Sequence, residues 1–315
     1  MQTFSEVTHH VSDNVTKLVF RNDTAVAEAV LYRYPTYEER TVICCSTMSG
    51  CPVGCRFCGA GDYFARALTG EEIYEQVVEC IRHADVDPDE IEKFQIMFMS
   101  MGEPMLNRRG LEGAILMLAA MYPNAQLLIS TMGPDVDYEW LTYLSCDIPQ
   151  IGLQFSIHET DPMRRDGLIP FRSKLTLEGI SRVGMFWAEM TGRKPFFNYC
   201  AADHNTEFPN ALALEKLFPP KYWEATISVI CERNDGMPAR NEHQQKLAKD
   251  FSAMLLERGF NVRVFDPAGQ DDIGGGCGQL WFVQKWMKDN PELARPSIGN
   301  GRPVVHAPQA QIALL

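Results

Sequence analysis

Cys51-Pro-Val-Gly-Cys55-Arg-Phe-Cys58 is the stretch that decides the fold, because it places three cysteines within eight residues. Thiolates are soft ligands that suit iron–sulfur clusters, and one tight loop with C-x3-C-x2-C spacing supplies three of them. A four-iron cluster held by three cysteines keeps one iron open for another ligand. The spacing therefore predicts a [4Fe–4S] cluster bound by Cys51, Cys55 and Cys58.

A structural zinc site and a disulfide are the alternatives for these cysteines. Zinc needs a fourth cysteine or histidine, usually in paired C-x2-C units, and the nearest histidines, His10 and His83, lack a ligand-like spacing. Three cysteines on one short loop cannot all pair among themselves. The cluster is therefore the favoured interpretation.

Length and composition are those of a globular protein. The chain has 315 residues, 45% hydrophobic and 22% charged, which is enough for one large α/β domain. A net charge of −12 argues against a surface that binds nucleic acid everywhere, although it allows a local basic face. No apolar run has the length of a membrane span, and ten cysteines without an export signal indicate a reducing compartment. We expect a soluble, cytoplasmic protein with no membrane partner.

Strand and helix patterns alternate after an N-terminal hairpin. Residues 17–20 and 25–32 are β-prone runs around a turn at Asn22-Asp23 and predict a β-hairpin, whereas the polar residues 1–13 are expected to be frayed. The later strands are continuous apolar runs, typical of a parallel sheet covered by helices. They are predicted at residues 41–45, 94–100, 126–130, 151–157, 196–201, 226–231 and 261–265. Helices are predicted from a capping box at Thr69, and then at residues 111–121, 138–144, 175–190, 211–217 and 242–258.

The repeated βα units predict an α/β fold, an incomplete (βα)6 TIM-like barrel with an N-terminal β-hairpin extension. Function should gather at the carboxyl ends of the strands, where the cysteine loop follows the first barrel strand. We expect residues 1–38 to form the hairpin extension, 39–285 the barrel with a glycine-rich loop around Cys277, and 286–315 a tail.

Several motifs in the same order resemble those of a known family. The cysteine loop resembles the signature of radical S-adenosylmethionine (SAM) enzymes, in which SAM binds the open iron. Cys44 lies seven residues before the first cluster ligand, and residues 101–107 read Met-Gly-Glu-Pro-Met-Leu-Asn. Ser156-Ile157-His158 and Cys277-Gly-Gln-Leu280 follow. Together these motifs resemble the RlmN/Cfr family of radical SAM methyltransferases, which modify an adenosine in ribosomal RNA and, in some members, transfer RNA.

The resemblance implies a mechanism that uses two SAM molecules per turnover. One SAM would methylate Cys277. A second would be cleaved to a 5′-deoxyadenosyl radical that takes a hydrogen from this methyl group, and the carbon radical would add to adenine. Carbon 2 of adenine lies between two ring nitrogens and is too electron-poor to attack SAM directly, which is why a radical route is needed. Carbon 2 is the expected target, and carbon 8 is the open alternative. Glu28 would remove the proton, and a Cys44–Cys277 disulfide would release the product.

The resemblance also implies a set of SAM contacts and an electron donor such as flavodoxin or ferredoxin. The SAM-binding residues would be Gly102, Glu103, Ser130, Ser156, Ile157, His158 and Asn234. Three of the residues implied by the resemblance also have a simpler explanation when their motif is considered by itself. Cys277 could be a small buried hydrophobe, Glu28 an exposed strand glutamate, and His158 a satisfied polar residue at a strand end.

The substrate is the least determined part of the prediction. Family members usually carry an N-terminal helical domain that helps to bind RNA, and about 40 residues precede Cys44 here. Basic residues follow the barrel strands and could form a basic mouth for RNA, or be scattered solvated side chains. They are Arg56, Arg66, Arg108, Arg109, Arg164, Arg165, Arg172 and Lys174. The alternatives to an RNA substrate are the same chemistry on a smaller or non-RNA substrate, a separate RNA-binding partner, or a non-enzymatic iron–sulfur binding or redox module.

Overall fold

The computed structural model describes residues 3–229, 232–234, 237–239, 242–266 and 281–297. The elements as far as the middle of the chain are β1 (Glu6–Val11), β2 (Val15–Asn22), β3 (Ala25–Arg33), β4 (Thr41–Cys45), β5 (Met48–Gly50), β6 (Tyr63–Ala67), α1 (Gly70–Ala84), β7 (Phe94–Phe98), α2 (Arg108–Met121), β8 (Gln126–Thr131), α3 (Glu139–Asp147) and β9 (Ile151–Ser156). The remaining elements are α4 (Pro162–Leu168), α5 (Leu177–Thr191), β10 (Phe196–Ala201), α6 (Phe208–Leu217), β11 (Glu224–Val229), β12 (Glu232–Asn234), β13 (Met237–Ala239), α7 (Glu242–Leu256), β14 (Val262–Phe265), α8 (Trp281–Asp289) and β15 (Arg295–Pro296).

One ten-stranded sheet organises the molecule, in the order β1-β2-β3-β4-β7-β8-β9-β10-β11-β14. Seven strands of this sheet are parallel, and helical crossovers connect them. These strands are β4, β7, β8, β9, β10, β11 and β14. The helices of these crossovers cover one face of the sheet, and the strand residues on that face, such as Ile96 and Ile129, are apolar and buried. The predicted α/β architecture of successive βα units is therefore confirmed.

The N-terminal hairpin is also confirmed, and it continues the barrel sheet. β2 and β3 pair antiparallel, and the side chain of Asn22 closes the turn by accepting hydrogen bonds from the backbone of Thr24 and Ala25. β3 then pairs antiparallel with β4. The prediction that residues 1–13 are frayed is wrong for Glu6–Val11, which forms β1 along the free edge of β2. The edge of β2 offers unpaired backbone groups, and these can hold a polar strand that shows no apolar pattern.

The capping box predicted at Thr69 begins α1. Thr69 accepts a hydrogen bond from the backbone of Glu72, and the Glu72 side chain accepts one from the backbone of Thr69. Ile73 and Val77 then face the core, as their helical spacing predicts.

The two faces of the sheet have different surroundings. The outer face packs against the helices in the main hydrophobic core, which includes Ile43, Cys45 and Phe98. The inner face carries a smaller cluster, which consists of Val15, Val30, Tyr32, Val42, Cys44, Met97 and Leu128. Neighbouring residues of a strand point to opposite faces, so Cys44 faces inward and Cys45 outward.

The segment after residue 280 folds back onto the N-terminal part of the chain. α8 contacts β3, and β15 pairs with β6 next to the cysteine loop. The boundary expected at residue 285 falls inside α8, whose Val283 and Met287 are buried. Among the described helices, none combines the length and the apolarity needed to cross a membrane.

Candidate active site

The cysteine loop leaves the sheet at the carboxyl end of β4 and is closed by backbone hydrogen bonds. The backbone N–H of Cys51 donates to the carbonyl of Tyr63 on β6 at 2.9 Å. Within the loop, Cys58 donates to the carbonyl of Cys55, and Gly61 donates to that of Cys58, both at 3.2 Å. Cys51 is buried, and the other two cysteines are half-buried. The loop therefore gathers three thiols at the edge where a barrel enzyme holds its ligands.

The electrostatics of these thiols fit a metal cluster. Burial raises the pKa values of Cys51 and Cys55, and the negative charge of a Cys58 thiolate raises both pKa values further. The backbone N–H groups of Val53 and Gly54 act in the opposite direction, because they stabilise a Cys51 thiolate. Buried thiolates that repel one another are stabilised by a positively charged metal centre between them. The donor set therefore fits the cluster that the spacing predicts.

The thiols are not arranged around one point. In the part of the chain that the structure describes, no three His, Cys, Asp or Glu side chains converge to hold a single metal ion. In a four-iron cluster each thiolate binds a different iron, so the ligands are separated by the width of the cluster.

Gly102 attaches the end of β7 to the strand that leads into the cysteine loop. Its φ is +99°, and a Cβ at this position would lie 2.7 Å from the Cβ of Met48. Only glycine fits both the conformation and the contact. The neighbouring carbonyl of Met101 accepts hydrogen bonds from Thr47 at 2.8 Å and from Met48 at 3.3 Å. The predicted SAM motif and the cysteine loop are thereby held in one rigid unit.

Glu103 is buried at the centre of this unit. Oε1 accepts hydrogen bonds from the hydroxyl of Thr131 at 2.6 Å and the N–H of Met105 at 3.0 Å, and Oε2 accepts one from the N–H of Met132 at 2.8 Å. Burial raises the pKa of Glu103 to about 7, although these three hydrogen bonds lower it. A cationic group placed against this carboxylate would favour its charged form.

Ser130 and Ser156 lie at the ends of adjacent strands, on the same face as Cys44. Cys44 is paired with Met97, and Ser130 is paired with Gln154, and these side chains lie on the inner face of the sheet. Ser156 lies two residues after Gln154 and therefore points to the same face. The side-chain amide of Gln154 donates to the Ser130 oxygen at 3.1 Å, so the hydroxyl hydrogen of Ser130 is available to a further acceptor.

His158 connects the end of β9 to the cysteine loop. It has a left-handed φ of 58°, is buried, and packs its ring edge-on against Phe57 with 4.5 Å between the ring centroids. Nδ1 accepts the N–H of Cys200 at 3.2 Å, so Nε2 carries the hydrogen of the neutral ring. Burial, with a smaller effect of Arg165, lowers the pKa of His158 to about 3 and keeps it neutral. Ile157 points into the helix-side core; its N–H donates to the carbonyl of Asn198 at 3.0 Å, and its carbonyl accepts from Glu159 at 2.8 Å, so only the second lone pair of this carbonyl remains for a ligand.

Cys44 and Glu28 share the inner face of the sheet. Val30 is paired with Cys44, and Glu28 lies two residues earlier on the same face of β3. The Cys44 sulfur is buried, 4.0 Å from the Met97 sulfur.

Glu28 has partners that its sequence motif did not indicate. It is fully buried, which makes the alternative of an exposed strand glutamate wrong. Its Oε2 lies 3.3 Å from the Nζ of the equally buried Lys17, and its Oε1 accepts the N–H of Val283 in α8 at 3.2 Å. Burial raises the pKa of Glu28, and Lys17 lowers it. No signal in the sequence marks Lys17 as a partner of Glu28, because it resembles an ordinary polar residue of a strand.

Two of the predicted site residues are not covered by these contacts. Cys277 lies outside the described residues. Asn234 belongs to β12, but its side chain lies outside the described part as well.

Half of the residues of the predicted basic mouth are paired with acidic side chains or buried. Arg66 is bonded to Glu72, Arg108 lies near Glu112 and Asp137, and Lys174 pairs with Asp166. Arg165 is only 3% exposed, so it is neither an RNA-facing nor a solvated side chain. Position after a strand predicts the correct edge of the barrel, but it does not reveal which basic side chains have acidic neighbours.

Comparisons with known proteins agree with the fold and the motifs. No family model matches the chain. The chain is 29% identical over 271 residues to the probable dual-specificity RNA methyltransferase RlmN of Frankia alni. This match covers 82% of the chain and 62% of the Frankia alni protein. The RlmN of Desulfitobacterium hafniense strain DCB-2 is 30% identical over 281 residues, which cover 85% and 76% of the two chains. The chain thus spans less than two thirds of the length of the Frankia alni relative.

Solved structures show the same architecture. A radical SAM methyltransferase from Sphaerobacter thermophilus superposes with a TM-score of 0.73 at 26% identity, over 87% of this chain and 80% of that chain. Streptococcus suis SuiB, bound to S-adenosylmethionine, has the same fold at 12% identity and a TM-score of 0.52. The partial TIM-like barrel predicted from the βα repeats is confirmed.

A partial barrel with a three-cysteine loop at the carboxyl end of its first parallel strand defines a radical SAM enzyme. Among these enzymes, the chain belongs to the RlmN family of RNA methyltransferases.

Proposed function

We propose that the protein methylates a ring carbon of adenosine, carbon 2, in ribosomal or transfer RNA. The observation that carries the proposal is the position of Cys44. Cys44 is the last residue but one of β4, the strand that leads toward the cysteine loop, and its side chain faces the interior. Its neighbour Cys45 points to the opposite face. A purely structural cluster has no use for an interior thiol beside it.

Cys51, Cys55 and Cys58 would hold the [4Fe–4S] cluster, which with SAM supplies the methyl group and the one-electron chemistry. Glu103 would receive the amino group of SAM in its ionised form. Ser130, Ser156 and the neutral Nε2–H of His158 would donate hydrogen bonds to the same ligand, with the backbone of Ile157 and the side chain of Asn234 as further contacts. The buried contacts of Glu103 and His158 support this arrangement, because they fix both side chains before a ligand binds.

Two thiols and one carboxylate would carry the transfer. Cys277 carries the methyl group as a thioether and forms the bond to the base through that carbon. Attack of the Cys44 thiolate on the Cys277 sulfur then forms the disulfide and breaks the bond between that sulfur and the transferred carbon, which keeps the electron pair and takes up a proton to become the methyl group. Glu28 accepts the proton from the methylated ring position, and Lys17 holds its carboxylate in the interior. Two SAM molecules are consumed in each turnover.

The reaction also needs electrons from a donor such as flavodoxin or ferredoxin. We propose the cytoplasm as the location, where thiols stay reduced between turnovers.

The test is an anaerobic assay of the reconstituted protein with SAM, a reductant and mixed RNA, read as methyladenosine by mass spectrometry. We expect Cys277→Ala to abolish product and Cys44→Ala to accumulate a covalent protein–RNA adduct. Cys45→Ala is the matched control, because Cys45 lies on the opposite face, and it should keep both product formation and release. Unchanged product with Cys277→Ala would refute the carrier mechanism.

A smaller or non-RNA substrate is the second candidate. It is favoured by the net charge of −12 and by the acidic partners of Arg66, Arg108 and Lys174. RNA binding at low salt separates the two, since the second candidate predicts none unless a separate RNA-binding partner is added.

A further inference from the structure

Arg165 is a buried cation that lacks a carboxylate partner within the described residues. The side chain lies in α4, where Nη2 donates to the carbonyl of Met132 at 2.7 Å and Nη1 to that of Leu175 at 3.0 Å. The neighbouring Asp166 is paired with Lys174 instead. Nε is buried with no hydrogen-bond acceptor in the described part of the chain. Carbonyl groups alone do not neutralise a buried charge, so this site favours an anion.

The cysteine loop lies against the same helix. The backbone N–H of Arg56, the residue after Cys55, donates to the carbonyl of Leu168 at the end of α4 at 3.0 Å. Burial lowers the pKa of Arg165 to about 10, and a Cys55 thiolate is the strongest of the neighbouring charges that act against this shift. Arg165 lies one helical turn before Leu168, so the buried cation and the cysteine loop share the same end of α4.

Arg165 also connects the loop to the predicted SAM motif. Met132 donates its N–H to Glu103 and offers its carbonyl to Arg165, so the two charged side chains hold the same residue from opposite sides. This arrangement fixes the end of β8 between α4 and the carboxylate.

We propose that Arg165 is a positioning residue that balances the charge of the cluster-binding loop from the helix, α4, against which the loop lies. The inference rests on the proposed function only in requiring that the loop binds a [4Fe–4S] cluster. Such a cluster with three thiolates is an anion, and reduction adds one more negative charge. A buried guanidinium nearby stabilises the reduced form more than the oxidised form, which raises the reduction potential.

The experiment is a redox titration of the reconstituted holoprotein without SAM or RNA, followed by electron paramagnetic resonance. We expect Arg165→Met to shift the midpoint potential to a more negative value. Arg165→Lys, which keeps the charge, should stay near the wild type. Arg164→Met is the matched control, because Arg164 is the exposed neighbour on the same helix, and it should not shift the potential.

Arg165→Gln provides the second variant if Arg165→Met does not assemble a cluster. Glutamine can still donate to the Met132 carbonyl but carries no charge, so the same negative shift is expected. A wild-type potential in the uncharged variants would overturn the proposal, as would reduced SAM affinity with no shift, which would assign Arg165 to the SAM carboxylate. Because the titration involves no methyl transfer, loss of RNA methylation in the earlier assay would leave this result interpretable.

Discussion

Burial and hydrogen bonding have opposite effects on the pKa of Glu103. The unfolded chain ionises this group near pH 4.5, whereas burial raises its pKa to about 7 in the folded protein. A raised folded pKa means that the folded state binds more protons between these two values. The contribution of Glu103 to stability is therefore largest below pH 4.5 and is lost as the pH rises through about 7.

Glu103→Gln should remove this part of the pH dependence. Between pH 5 and pH 8, the wild type should lose about 2 kcal/mol of unfolding free energy relative to the variant, the linkage expected for a shift of this size. Urea unfolding of both proteins across this range measures the difference. If the unfolding free energies of the two proteins change with pH in parallel, the Glu103 carboxylate is not desolvated in the folded state, and the prediction is wrong.

At the scale of elements, close contacts decide where a helix can lie. α5 approaches β11 through Gly184, and a Cβ at this position would lie 2.0 Å from the ring of Trp223, which is fully buried. A buried indole cannot move aside without displacing the core around it. In α4, by contrast, a Cβ at Gly167 would have nothing within 4 Å.

Gly184→Ala should therefore lower the unfolding free energy by about 1–3 kcal/mol through overpacking. Gly167→Ala is its control in another helix, and it should leave the value unchanged or raise it by up to about 1 kcal/mol through helix propensity. Denaturant unfolding of the two variants provides the comparison. Equal effects at both positions would contradict the close approach of α5 to Trp223.

At the scale of the whole molecule, the distribution of charge limits how RNA can bind. Of the eight basic residues on the loops after the strands, Arg66, Arg108 and Lys174 have acidic partners and Arg165 is buried. Of the other four, Arg109, Arg164 and Arg172 are exposed, and Arg56 is half-buried. A surface that offers few unpaired cations releases few counterions when RNA binds.

RNA affinity should therefore depend only moderately on salt. Phosphate contacts from the three exposed arginines give a slope of log affinity against log salt concentration of about −2 to −3. Arg109→Ala should make this slope shallower by about 0.7 to 0.9. Arg66→Ala should leave it unchanged, because Arg66 is bonded to Glu72. Fluorescence anisotropy at several salt concentrations tests this, and a much steeper slope would require cations elsewhere.

The sequence by itself determined the features that depend on short stretches of chain. The spacing of Cys51, Cys55 and Cys58, the capping box of α1 and the alternation of strand and helix are local patterns, and backbone geometry converts each into structure directly. Only the tertiary structure decided that β1 completes the sheet, that Glu28 is paired with Lys17, and that Arg165 is buried. These outcomes depend on contacts between distant residues, such as the hydrogen bond from Val283 to Glu28 across 255 positions. Burial and charge pairing are properties of the packed neighbourhood, and no local period in the sequence encodes them.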